Sequence, residues 1–125
     1  MSREKGVLNA IKNKALFDKC ILYRNNVGVF QIKDKGRPRS ITTGLGKGSS
    51  DLIGYAKRTI TPDMVGKTVA IFTAIEVKRE GWNKDKKLNP HEQNQANFIA
   101  RVKEDGGIAG FSASIDDFNN VLKEV

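Results

Sequence analysis

Residues 69–78 read VAIFTAIEVK, the longest apolar run in the chain, and its interpretation decides the fold. Apolar side chains on both parities predict a central strand covered on both faces, the pattern of an α/β sheet. Alternation along a strand puts Ala70, Phe72, Ala74, Glu76 and Lys78 on one face and Val69, Ile71, Thr73, Ile75 and Val77 on the other. The two charges therefore share a side and emerge at the carboxyl end of the strand, where open α/β sheets build their sites. For an arbitrary E-x-K the plainer reading is a salt bridge at a solvated strand end, so the neighbouring segments have to decide.

Upstream, GKGSS runs into DLIGY, a short strand opened by Asp51. If it pairs with the 69–78 run, the Asp51 carboxylate reaches the face that carries Glu76. Farther back, Val7, Leu8, Ile11, Ala15 and Leu16 recur at helical steps between Glu4 and about Lys19 and predict an amphipathic helix packed by that stripe. ILYRNNVGVFQI reads as a hairpin or bent pair of strands around Asn25 and Asn26, and KDKGRPRS, residues 33–40, as an exposed basic loop. TPDMVGKT is a turn. Downstream, GWNKDKKLNP reads as a mobile basic loop. Asn89 as N-cap, Pro90 behind it and Glu92 three residues past the cap announce a helix that stops at Gly106-Gly107. IAGFSA is then a strand and SIDDFNNVLKEV a helix capped by Ser114. The expected fold is α/β (α+β) in the order αβββαβα, with about four strands in a central sheet flanked by helices.

The 125 residues suit a single domain, 1–125, with a core of its own. Lys and Arg outnumber Asp and Glu by 22 to 14, a net charge of +8 that points to a polyanionic partner. The one cysteine, Cys20, has no internal partner and reads as a small core residue of a protein from a reducing compartment. Neither a run of the roughly 20 apolar residues that cross a membrane nor a signal peptide is visible, so a soluble cytoplasmic protein without membrane association is expected.

Two carboxylates and a lysine make a set with a specific use. Mg²⁺ and Mn²⁺ take hard oxygen ligands, commonly one or two carboxylates with water and phosphate completing the shell. Such an ion polarises a phosphodiester, and a neighbouring lysine offsets the charge that gathers during attack.

An acidic residue opening a strand, followed by E-x-K on a later one behind an initial helix, resembles the PD-(D/E)xK nuclease superfamily. More narrowly the chain resembles the VRR-NUC domain, a compact nuclease module found alone in phages and fused to repair nucleases. The likeness spans nearly the whole chain through RNNVG, GLGKGSSDLIG, AIEVKREG, a Q-x-x-F-I helix, EDGGIAGFSAS and DDFNNVL. It implies a restriction-endonuclease-like core and Mg²⁺-dependent (or Mn²⁺-dependent) hydrolysis of DNA, selective for branched or junction structures in replication, repair or recombination. A phage protein acting in the host cytoplasm, as a homodimer, is the implied setting. Asp51 and Glu76 would be the metal carboxylates, Val77 would lend its main-chain carbonyl, and Lys78 would attend the attacking water. Glu4 falls where the family has a further acidic residue, and Gln95 or Gln93 where it has a glutamine. Gln95 is preferred, because Phe98, Ile99 and Val102 follow it at three, four and seven residues and put it on the core-facing stripe. The superfamily's proline before the aspartate is Ser50 here.

Lys33, Lys35, Arg37, Arg39 and Lys47 lead to Asp51, and Arg79, Lys84, Lys86 and Lys87 follow Lys78. They are candidate phosphate contacts, which position a duplex without reading its sequence. Trp82, among them, either stacks on an unpaired base or caps the core. His91 reads as a surface residue one turn before Gln95. Pro62-Asp63 spells the superfamily's PD but suits a turn, and VGKT at 65–68 lacks the first glycine of a phosphate-binding loop. The competing reading is a non-catalytic basic module that keeps the nuclease fold.

Overall fold

The computed structural model describes residues 3–124. Among these residues the structure is mixed α+β, with three helices and three two-stranded sheets. It divides into two compact units, one up to Ala56 and one from Lys57.

In the first unit, helix α1 (Arg3–Phe17) precedes strands β1 (Cys20–Arg24), β2 (Gly28–Asp34), β3 (Arg37–Thr43) and β4 (Leu52–Ala56). β1 pairs with β4 in antiparallel register from Cys20↔Ala56 to Arg24↔Leu52. β2 and β3 pair with each other from Gly28↔Thr43 to Asp34↔Arg37. Residues 33–40 are thus a hairpin tip rather than the expected loop. Lys35 and Gly36 both have positive φ, 52° and 78°, the requirement of a two-residue turn whose twist matches the strands it joins. Ile21 and Val29 belong to separate ladders, so 21–32 is not a self-paired hairpin. Of the expected helix stripe only Ala15 is buried, while Val7, Ile11 and Leu16 are 57%, 47% and 62% exposed. Against its own unit α1 packs chiefly on β1, a surface too narrow to cover the stripe.

The second unit holds a short 3-10 turn (Pro62–Met64), β5 (Thr73–Val77), α2 (Pro90–Glu104), β6 (Ile108–Ser112) and α3 (Ile115–Leu122). β5 and β6 are parallel, joined through α2 as a β–α–β unit, in register from Thr73↔Ile108 to Val77↔Ser112. The expected ten-residue strand is therefore five residues long. Its extent is set by its partner: the ladder begins where Ile108 N–H donates to Phe72 and ends where Lys78 N–H donates to Ser112, both at 2.9 Å. The central sheet of about four strands is corrected accordingly, since the described partner of β4 is β1 and that of β5 is β6.

β6 carries this unit's core. Ile108, Ala109 and Ser112 are buried on it, with Val102 of α2 and Val121 of α3 against it. A Cβ at Gly110 would sit 2.6 Å from Val121 Cγ2, so the glycine is what lets α3 lie flush on the strand. Both helices start on side-chain caps. Asn89 Oδ1 accepts the Glu92 N–H at 2.8 Å while Glu92 Oε1 accepts the Asn89 N–H at 3.0 Å, a reciprocal capping box. Ser114 Oγ accepts the Asp117 N–H at 3.1 Å. α2 ends on Gly106 at φ 96°, with N–H bonds from Gly106 to Lys103 and from Gly107 to Val102, a Schellman stop. Among the described residues no helix is long and apolar enough to cross a membrane.

Candidate active site

Glu76 lies near the end of β5 and Lys78 one residue beyond it, and α2 supplies the group that joins them. Gln95 Nε2 donates to Glu76 Oε1 at 2.7 Å, and Gln95 Oε1 accepts from Lys78 Nζ at 2.6 Å. The second Nε2 proton has His91 Nε2 at 3.3 Å, which requires that ring nitrogen to be the acceptor. The amide can face only one way, because a flip would set NH₂ against an ammonium and a carbonyl against a carboxylate. Gln93 instead donates to Asn97 at 3.0 Å on the exposed side of the helix, so Gln95 is the glutamine at the strand end. The signal that found it, the spacing to Phe98, Ile99 and Val102, is local to the helix.

Glu76 and Lys78 do share a side, as strand alternation requires, yet they do not form an ion pair with each other. Among the described residues the ionic partner of Lys78 is Glu92, with Oε2 3.9 Å from Nζ and both side chains mostly buried. Trp82 Nε1–H donates to the same Glu92 oxygen at 2.7 Å. The Trp82 and Phe111 rings lie 4.8 Å apart, and Lys78 Nζ stands 5.4 Å and 5.6 Å from their centroids. The Asn89 N–H and then the Trp82 indole, aided by the positive charge of Lys78, hold the Glu92 carboxyl below its ordinary value, against an opposing effect of burial that is smaller than either hydrogen bond. Sequence reading missed this role of Glu92, whose capping pattern accounted for it fully. It also left Trp82 open between two uses, because the contact joins a loop to a helix.

The oxygens at this strand end suit a hard divalent cation. Glu76 Oε2 accepts no hydrogen bond from a described residue. Because the Phe72 carbonyl and Lys78 N–H face β6, alternation turns the Val77 carbonyl to the opposite edge of β5, outside the β5–β6 ladder. No group of three or more His, Cys, Asp or Glu gathers among the described residues.

In the first unit, Asp51 is exposed at the start of β4 and lines an open groove together with Glu4, Arg24, Asn25 and Ser50. The loop that delivers it contains Gly44, Gly46 and Gly48, all at positive φ. Asn25 organises that loop. Its Nδ2 donates to Ser49 Oγ at 2.8 Å and to the Ser50 carbonyl at 2.9 Å, its Oδ1 accepts the Leu45 N–H at 3.0 Å, and its N–H donates to the Asp51 carbonyl at 2.8 Å. A glycine-rich loop has few side chains with which to anchor itself, so its anchor comes from the residue that follows β1. That was the available signal for Asn25.

The ribbon formed by β2 and β3 displays Lys33, Arg37 and Arg39 on its strands and Lys35 in its turn, all exposed, with Arg39 paired to Asp34 at 3.3 Å. Lys47 is exposed in the glycine loop. Arg79, Lys84, Lys86 and Lys87 are exposed along 79–87, a segment built from turns closed by Trp82 N–H to Arg79 and Lys86 N–H to Asn83. Asp63 of the PD decoy sits on the 3-10 turn and accepts from Thr61 Oγ1. Cys20 is half-buried and free.

Compared with protein-family models, with curated proteins and with solved structures, the chain matches none.

Proposed function

We propose that this protein is a metal-dependent DNA endonuclease of the VRR-NUC kind, hydrolysing phosphodiester bonds in branched or junction DNA. One observation carries the reading: a single glutamine amide holds a strand-end carboxylate and a mostly buried lysine in fixed orientation. A salt bridge between Glu76 and Lys78 would have needed no such intermediary.

Glu76 and the Val77 carbonyl would hold Mg²⁺ at the end of β5, with Mn²⁺ able to replace it, and Asp51 is the second metal carboxylate that the resemblance to the VRR-NUC domain implies. When bound, the ion supplies Lewis acidity to the phosphate and lowers the pKa of a water. The residues do the rest. Gln95 keeps Glu76 Oε1 occupied and turns the carboxylate so that its other oxygen stays available. Lys78 would place a positive charge, and the N–H donors not given to Gln95, where the attacking water and the phosphate oxygens meet, stabilising charge that exists only as the phosphate is attacked. Glu4 lines the same groove of the first unit as Asp51 and is the further acidic group that the resemblance implies.

Charge and shape support a nucleic acid as partner. A two-stranded ribbon fits the major groove of a duplex, and here its tip carries a surplus of cations. Two copies related by a two-fold axis would cut both strands of a junction. The test is incubation of the purified protein with branched, flapped, linear and supercoiled DNA in Mg²⁺, Mn²⁺ or EDTA. Cleavage that needs the metal and favours the branched substrates is expected. Binding without cleavage under every condition would leave the basic module that keeps the fold but lacks the chemistry.

A further inference from the structure

The side chains around Lys78 other than Glu76 and Gln95 form a second arrangement that the proposed reaction leaves unused. Glu92 takes two donors on different oxygens: the Asn89 N–H on Oε1 at 3.0 Å, and the Trp82 indole N–H on Oε2 at 2.7 Å. One side of the carboxylate is thereby tied to the cap of α2, and the other holds the indole. The indole in turn lies on Phe111 of β6, and the Lys78 ammonium stands 5.4 Å from one ring centroid and 5.6 Å from the other. Lysine has a flexible four-carbon stem, and an unrestrained ammonium would spread over many rotamers. Here three elements converge on it, and Gln95 is only one of its contacts.

We propose that Glu92 and Trp82 are positioning residues for Lys78: their hydrogen bond carries the fixed geometry of the α2 cap to the ring over the ammonium, and Trp82 serves this rather than base stacking. The consequence for activity rests on the reading of Lys78 as a group that serves phosphodiester cleavage. The clamp itself does not.

The chemistry of glutamine separates the clamp from the helix cap. Glu92→Gln has one acceptor oxygen. If that oxygen keeps the Asn89 N–H, the NH₂ faces the indole N–H and the ammonium, donors against donors, so the cap survives while the clamp is broken. Trp82→Phe removes the donor and keeps an aromatic face. Trp82 is the single tryptophan, so its emission reports this site alone.

The experiment uses the full chain as wild type, Glu92→Gln, Trp82→Phe, Trp82→Ala and Lys78→Met. Measured are tryptophan emission where Trp82 remains, thermal unfolding, affinity for a branched DNA, and single-turnover cleavage at saturating DNA across a Mn²⁺ titration. Lys78→Met and Glu92→Gln should both shift the emission while the proteins stay folded. Glu92→Gln should slow cleavage by about 10- to 100-fold, as is typical for residues that orient a reacting group, with DNA affinity and the metal midpoint unchanged. Trp82→Phe should keep more of the rate than Trp82→Ala. Wild-type emission in both folded variants, or a wild-type rate in Glu92→Gln, overturns the proposal. So does a Trp82→Ala protein that loses DNA affinity yet cuts at the wild-type rate when saturated, since Trp82 would then be a base-stacking residue. If the wild-type protein cuts no DNA at all, the nuclease reading fails by itself, and the emission of Lys78→Met and Glu92→Gln alone decides for or against the clamp.

Discussion

Asp51 and Glu76 are held in opposite ways. Asp51 stands exposed at the end of a glycine-rich loop, and what is fixed is its backbone, through four hydrogen bonds made by Asn25 to the loop and to Asp51 itself. Glu76 sits in a regular strand, where the backbone is secured by the ladder to β6, and its side chain is held by Gln95. A carboxylate on a loop gains reach and depends on an anchor for its main chain. A carboxylate on a strand has its main chain provided and depends on a helix to set its rotamer. The first arrangement should fail by loss of loop order, the second by loss of orientation with the fold intact.

The sharpest break of this comparison is Lys78→Ala. It should cut the single-turnover rate by about a hundredfold or more, the effect of losing one donor aimed at developing charge, while DNA affinity stays nearly intact. A folded Lys78→Ala protein that cuts at the wild-type rate would reduce the strand end to an ordinary ion network. Glu76→Ala should fail differently, through metal affinity, so excess Mn²⁺ should restore part of its activity.

Neutralising Lys33, Lys35, Arg37 and Arg39 together tests the other unit. Each phosphate that is no longer neutralised should lower the slope of log affinity against log salt by about 0.9, so the quadruple variant should flatten it by roughly 3 to 4 while the chemical step at saturating DNA is kept. Arg39, paired with Asp34, should account for the smallest share. An unchanged slope would place the duplex away from the ribbon.

Asn25→Ala leaves the exposed Leu45 N–H and Ser50 carbonyl without their side-chain partner, and should cost about 0.5–1.5 kcal/mol in unfolding free energy, since water can take the place of the amide. Activity should fall by more than stability accounts for, because the loop that presents Asp51 loses its anchor. Equal Tm and equal rate in variant and wild type would remove Asn25 from any part in placing the carboxylate.

The smallest effect concerns acid. A glutamate whose folded-state pKa is depressed adds stability that is present above the ordinary value of about 4.3 and is lost as pH falls through the lower folded value. The Tm advantage of wild type over Glu92→Gln should therefore hold steady near neutral pH and shrink below about pH 4. A gap that persists undiminished to about pH 3 would mean that the charge on Glu92 contributes nothing to holding the α2 cap.

Much of the second unit was legible because its signals are local. Asn89, Pro90, Glu92 and the Gly106-Gly107 stop bound α2 through groups within one turn of each end. The shared side of Glu76 and Lys78 follows from strand geometry alone, and the choice of Gln95 from helix spacing. The first unit was harder to read. Asp34, Lys35, Gly36 and Arg37 look like a polar loop, yet two positive-φ residues flanked by exposed, evenly paired strands make a ribbon that no apolar alternation announces.

What the sequence determined by itself is therefore what depends on neighbours along the chain: helix ends, strand parity, the excess of positive charge, and the carboxylate, lysine and glutamine types from which the site is proposed. Tertiary structure alone decided which strand pairs with which, and where β5 stops, because a ladder is only as long as its partner. It also decided that Lys78 meets Glu92, Trp82 and Phe111 instead of Glu76. Those contacts bring together a strand end, a loop, a helix and a second strand, and side-chain chemistry at that range depends on packing that sequence spacing does not encode.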